Sequence, residues 1–403
     1  MLPADAQTRR RLAIYLATSA LMASIAARGL TVPLYAHALG ASRFEVGALF
    51  SVSTFAAALL SLPSGLLVDR FGPRTLLITS LALTVVSQLA TAATPTVAPL
   101  FLWQLVGGLA AGMQQSALFS AITESSSGSR LGRAFGWLTF SMQTGFFLGP
   151  AIAGLLLRWL DVRTDIAVTT AIVLLAIPGA ILASGTRQHH GRGLSLREPL
   201  SALVRQAAFL PLTVGLVAIA IGWGTLGAFL PVFGKEALGL PSSQVGYLLA
   251  LQAIVNGTSR PFAGRLVDRA RQRWPLLFAG VVAWSVTGVI LGHLTGFAAP
   301  AVLLSLSTPF LATAYVTIGT AFADLSAGST RGVAMGMFGT LNFGGLAAGP
   351  LVFGPLVQNY GYTAGFTACA VVSLVLGLVM VAMYVEPRRR RAASPIPPLT
   401  PGT

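Results

Sequence analysis

The 403-residue chain is 54% hydrophobic and only 9% charged, with a mean hydropathy of +0.77. So little charge cannot cover the surface of a water-soluble protein of this length, which excludes a soluble globular fold. The net charge of +15 invites a nucleic-acid partner, and the single cysteine, Cys369, rules out a disulfide framework and any multi-cysteine metal site.

Taken in order, the chain opens on Arg9, Arg10 and Arg11 and then alternates long apolar runs with short polar joints. The runs are long enough to cross a bilayer as helices. They fall at Leu12–Ala36, Val46–Val68, Thr75–Ala93, Leu100–Ile122, Leu131–Leu157 and Ile166–Ala183. Six more follow at Phe209–Phe233, Val245–Val267, Pro275–Thr295, Pro300–Phe322, Gly332–Val357 and Thr363–Val385. TRRRLAIYL at the start imitates a signal peptide, but eleven further spans argue for an uncleaved first helix. Ser42 and Glu45 have the spacing of a capping box and predict the start of the second helix. Domains read as six-span units at residues 1–183 and 207–386, joined by a polar, basic linker at 184–206. The final stretch, RRRRAASPIPPLTPGT, predicts a disordered tail over 387–403, drawn to anionic lipid.

The placement of the basic residues disposes of nucleic acid. Twenty of the 26 lie in segments on the side of the N-terminus. Arg43, Arg158, Arg163 and Lys235 lie on the other side, and Arg28 and Arg260 lie within spans. Positive charge accumulates on cytoplasmic loops, so a multi-pass protein of the cytoplasmic membrane is expected, with both termini inside.

GLLVDRFGPR, Gly65 to Arg74, returns as GRLVDRARQR at Gly264 to Arg273. Pro33, Gly40 and Gly47 return as Pro231, Gly239 and Gly246. Glu124, Gly128, Gly132 and Gly136 return as Asp324, Gly328, Gly332 and Gly336. Gly145, Gly149 and Pro150 return as Gly345, Gly349 and Pro350. A nearly constant offset of 198 to 200 residues means two equivalent halves. Six spans per half makes them parallel repeats about an axis along the membrane normal. The predicted fold is all-α and integral to the membrane, with twelve transmembrane helices in two parallel six-helix repeats.

GLLVDRFGPR resembles the G-x-L-x-D-R-x-G-R-R signature between the second and third helices of the major facilitator superfamily of secondary transporters. Pro73 stands in place of one basic residue, and the second copy keeps Gly264, Asp268 and Arg269 but has Ala270 and Arg271 for Phe71 and Gly72. The resemblance covers nearly the whole chain and implies transport by alternating access. It also implies a cytoplasmic gate in which Asp69 docks on the start of helix 11 near Gly332, and Asp268 on helix 5 near Gly132. A helix N-terminus favours such an anion through its unpaired N–H groups. Gly65, Arg70, Arg74, Glu124, Gly264, Arg269, Asp324 and Arg331 complete the expected gate. The same charges also read as ordinary solvated loop residues.

GFFLGPAIAG, Gly145 to Gly154, resembles the helix-5 motif of drug/proton antiporters, with Ala153 replacing a glycine. Proline bends a helix and small residues allow close packing. Gly145, Gly149, Pro150, Gly345, Gly349 and Pro350 are therefore read as packing sites on helices that rock at the interface of the halves. The antiporters' helix-4 arginine is replaced by Gln104. All eleven acidic residues fall outside the middle of the spans, with Glu45, Asp161, Asp165 and Glu236 on the outer side. No embedded carboxylate stands ready as a proton carrier.

The embedded charges are Arg28, in the outer half of helix 1, and Arg260, in the inner half of helix 8. A cation buried in lipid is expensive and is a functional candidate by default. Asn256-Gly257-Thr258-Ser259-Arg260 resembles the N-G-x-x-R of helix 8 in monocarboxylate and oxalate transporters, which implies a substrate carboxylate on the planar arginine fork. Snorkelling or bonding to the backbone is the plain structural reading of each arginine. Gln104, Gln143, Gln252, Asn256, Tyr315 and Asn342 join them as candidate cavity residues, although buried amides also bond helix to helix. Trp223 and Trp284 fit either stacking on a ligand or packing.

Nothing enzymatic is present. His37, His189, His190 and His293 have no metal-ligand spacing with Cys369 or with acids. Neither a phosphate-binding loop nor an ATP motif occurs, and no cofactor is expected. The expectation is a monomeric secondary transporter that exports a small, mostly apolar compound, driven by a gradient whose ion stays open. Organic-anion transport through the embedded arginines is the alternative. A non-transporting membrane sensor or lipid-handling protein on the same fold is the second.

Overall fold

A computed structural model describes residues 4–124, 131–183, 197–325 and 331–393. In a bilayer the backbone has no water to bond, and helices satisfy it internally. All regular structure among the described residues is helical. The first five crossings are α1 (Ala4–Ala38), α2 (Arg43–Phe71), α3 (Pro73–Ala93), α4 (Ala98–Glu124) and α5 (Leu131–Leu156). The sixth is broken into α6 (Val162–Thr170), a 3-10 stretch (Ala171–Ala176) and α7 (Ile177–Leu182). Pro178 has no N–H to donate back to Leu174, and the tighter helix takes up the gap.

The short α8 (Arg197–Val204) lies in the expected linker. The second half holds α9 (Phe209–Glu236), α10 (Ser242–Arg269), α11 (Trp274–Leu291), α12 (Ala298–Asp324) and α13 (Arg331–Ala393). The last of these breaks at Gly361, where φ is 84° and ψ 174°, and so supplies the final two crossings. Twelve crossings result, each carrying one of the expected runs. Two ends differ. α6 starts at Val162, four residues before the expected Ile166, because Asp161 caps it by accepting from the Thr164 N–H at 3.2 Å. α13 continues to Ala393, into the stretch expected to be disordered, since arginine is a good helix former.

The internal repeat is visible in the backbone. Gly40 and Gly239, in the α1–α2 and α9–α10 turns, both have positive φ (86° and 67°), a conformation other residues rarely adopt. At α2 the capping box is complete, with the Ser42 N–H donating to Glu45 Oε2 at 2.8 Å and the Glu45 N–H to Ser42 Oγ at 3.2 Å.

Within each half, α5 packs on α1 and the first arm of α13 on α9. Across the halves, α2 meets α13 and α5 meets α10. One apolar core fills the first half around Leu21, Leu77, Leu118, Leu138 and Val173. A second joins Leu30, Leu34, Val46 and Leu49 of the first half to Phe229, Phe233 and Leu248 of the second. These residues lie at the ends of their helices away from the chain termini. The halves therefore share a core at this far face.

Candidate functional site

α5 and α10 meet each other across the halves, and polar residues of both helices come together there. Gln143 Nε2 donates to Asn256 Oδ1 at 2.9 Å, and the same oxygen accepts from Arg260 Nε at 3.1 Å. The Arg260 guanidinium lies over the ring of Tyr315 on α12, 5.5 Å from its centroid. Tyr315 meets Phe338 of α13 edge-on at 5.7 Å. Arg260 thus touches α10 and α12 directly, α5 of the other half reaches it through Asn256, and its terminal nitrogens have no partner among the described residues. Such a cluster offers a flat aromatic face and charged donors together. One turn up α10, Gln252 is buried with its Nε2 unbonded, and Gln104 on α4 is in the same condition. Asn342 is half-buried on α13.

Arg28 does not join this cluster. Its Nη2 donates to Ser53 Oγ at 3.0 Å, and its Nη1 occupies the space beside Gly107, where any side chain would collide with it. The arginine is held inside the first half, between α1, α2 and α4. Trp284 is fully buried against Gly222 and is a packing residue.

The glycine–proline motif divides its work. A methyl on Gly145 or Gly149 would strike the backbone of α1 at Ser19 or Ala23, and one on Gly349 the backbone of α9 at Ile221. Gly345 is likewise blocked by Ala220 of α9. These glycines seat their helices within their own half. The contacts across the halves come from the residues just beyond. Gly246 of α10 faces the Pro150 carbonyl and Gly154, and a methyl on Gly47 of α2 would come within 3.3 Å of Pro350.

At the far face, Glu236 at the end of α9 is a hub. It pairs with Arg43 at 2.8 Å and with His37 Nδ1 at 3.3 Å, and it accepts from the Tyr362 hydroxyl at 2.9 Å. Arg43 also stacks over Tyr362, 4.8 Å from the ring centroid. Arg43 and His37 belong to the first half, Glu236 and Tyr362 to the second. The hub latches the halves together.

A family model described as Major Facilitator Superfamily matches residues 14–308 and 212–401. The chain belongs to that superfamily. It is similar to Multidrug resistance protein 1 of Bacillus subtilis, at 22% identity over 91% of this chain and 94% of that protein. Quinolone resistance protein NorA of Staphylococcus aureus is 24% identical over 47% of this chain and 50% of its own. The fold is similar to that of a mutant of the nucleoside transporter NupG, with a TM-score of 0.79, 16% identity, and 93% of this chain and 100% of that one covered. The chain is thus a multi-pass membrane protein of a transporter family, not an enzyme.

The superfamily signature loops lie at the terminal face. The side chains of Asp69, Glu124 and Arg331, and the surroundings of Gly132 and Gly332, lie outside what the structure describes. Gly65 and Gly264 face open space, and Arg70, Arg74, Asp268 and Arg269 are exposed. Asp324 pairs with Arg273 inside the second half, between α12 and the start of α11. The four-residue glycine rows behave unequally. A methyl on Gly336 would come within 2.9 Å of Leu62 of α2, while one on Gly136 would meet nothing within 4 Å.

Four residues of these arrangements escape sequence reasoning. Glu236 and Arg43 read as outer-loop charges, and their opposite signs at helix ends on the same face, in different halves, were the available signal. Gly107 gives no local sign that it makes room for Arg28. Asp165 belongs with them. Expected in an outer joint, it is completely buried in the first turn of α6, because that helix starts early.

Proposed function

We propose that this transporter exports small, largely apolar organic compounds from the cytoplasm by alternating access, through a site between the halves at Gln143, Asn256, Arg260 and Tyr315. The observation that carries the reading is the cross-half polar cluster, which joins α5, α10, α12 and α13 where an alternating-access site belongs. Gln104, Gln252 and Asn342 extend the same cavity. The drug and quinolone resistance named for the relatives supports the outward direction. The basic excess on the terminal face supports a cytoplasmic placement of both termini. The Glu236 hub is then the outer gate, and the loops bearing Asp69 and Asp268 form the inner one.

A thermal-shift series on the purified protein tests the reading, because a ligand that binds only the folded state raises the melting temperature. Apolar and cationic aromatic compounds are expected to stabilise the parent, and Arg260→Gln is expected to keep most of that effect. The free terminal nitrogens of Arg260 support a second reading, transport of organic anions. Stabilisation by carboxylates that Arg260→Gln abolishes would put that reading in place of the first. For the inner gate, Asp69→Asn is expected to shift the balance of inward and outward states. Unchanged flux and unchanged balance would remove Asp69 from it.

A further inference from the structure

The one fully buried acid described has no partner. Both carboxylate oxygens of Asp165 lack a hydrogen bond, and the short helix that holds it packs on α1 and α3 and touches α5. The charged and titratable groups at this end of those elements are engaged elsewhere. Arg163 Nε donates to the Ala92 carbonyl at 2.7 Å, and the Tyr35 hydroxyl to the Thr94 carbonyl at 2.7 Å. His37 faces Glu236, Arg28 faces Ser53, and Arg158 lies over Trp159. The charge that does act on Asp165 is Asp161, one turn away and of the same sign. The remaining charges of α1 and α3 sit at the opposite face. An ionised carboxylate is not held in such a place without a counter-charge or donors, whereas a neutral carboxyl is.

We propose that Asp165 is a proton-binding site of the transport cycle. It carries a proton in this conformation and releases it when the start of α6 is hydrated at the far face. The proton passes from the carboxyl oxygen to water and leaves a solvated carboxylate. Reloading is the reverse step, and no other bond changes. Coupling to the cycle runs through α1, which packs on α6 and also carries His37 into the Glu236 latch. Opening the latch disturbs the packing that keeps Asp165 dry. This link, unlike the bound proton itself, rests on the alternating-access reading above.

Infrared difference spectroscopy of the full chain in lipid reads the carbonyl stretch of a protonated carboxyl without any substrate. The band is expected in the parent at neutral pH, absent in Asp165→Asn, and shifted but retained in Asp165→Glu. The glutamate variant decides the assignment if the asparagine one fails to fold. No band in the parent, or a band unmoved by either substitution, overturns the site. Proteoliposomes with an imposed pH gradient and ethidium as probe test the coupling. Asp165→Asn is expected to lose gradient-driven movement and keep passive exchange. A variant driven as strongly as the parent overturns the coupling. If neither protein moves the dye, the export reading fails, and the infrared band still decides Asp165.

Discussion

At Gly149 a methyl group would meet the Ala23 carbonyl of the neighbouring helix, and at Gly136 it would meet nothing. Two glycines of one helix therefore make opposite predictions. Gly149→Ala is expected to destabilise the protein by about 1–3 kcal/mol through overpacking. Gly136→Ala is expected to be neutral or stabilising by up to about 1 kcal/mol through helix propensity. Melting temperatures of the two variants in the same detergent check the contrast, and equal shifts would contradict the packing. Arg28 calls for a different comparison. Tied to Ser53 and seated over Gly107, it is expected to cost stability when changed to alanine while leaving ligand preference unaltered. Composition marked Arg28 and Arg260 as equals, since both are charges in apolar runs. Only their surroundings separate them, one locked inside the first half and the other next to the Gln143–Asn256 bond that crosses the halves. A four-residue error in the start of α6 likewise hid Asp165, because one helical turn turns a loop residue into a buried one.

Whole helices carry the closure of the far face. α9 ends on Glu236 and α2 begins on Arg43, so the latch joins helix ends that belong to different halves. Glu236→Gln removes the charge for Arg43 and His37 but keeps an acceptor for Tyr362. Because Arg43 is partly exposed, the loss is about 1 kcal/mol or less, enough to shift a balanced two-state equilibrium. Hydrogen exchange at the start of α2 and the end of α9 is expected to speed up in this variant. Unaltered exchange there would mean that apolar packing alone holds the face shut. The crossing helices themselves were legible from run length and spacing, as was the capping box at Ser42. The 3-10 break before Pro178 was not, because a proline in an apolar run is equally compatible with a kinked helix.

For the whole molecule the orientation is the property most open to a direct test. Thr96→Cys, in the α3–α4 turn, and Gln272→Cys, in the α10–α11 turn, lie at opposite faces. Cys369 is buried and contributes little background to thiol labelling. An impermeant reagent added to intact cells is expected to label the first and spare the second. The reverse pattern would invert the topology and with it the assignment of inner and outer gates.

The number of crossings, their division into two parallel halves and the superfamily were determined by sequence alone. The physical reason is that a bilayer of fixed thickness makes the length of each apolar run a nearly complete instruction, and a duplicated half repeats it at a constant offset. The tertiary structure alone decided which polar groups meet. Gln143 with Asn256, Arg260 with Tyr315 and Arg43 with Glu236 are far apart in the chain. Their contact depends on the rotation and depth of each helix, which are set by glycine-to-backbone packing such as that of Gly149 on Ala23. Hydropathy fixes how far a helix reaches through the membrane and says nothing about which way it faces.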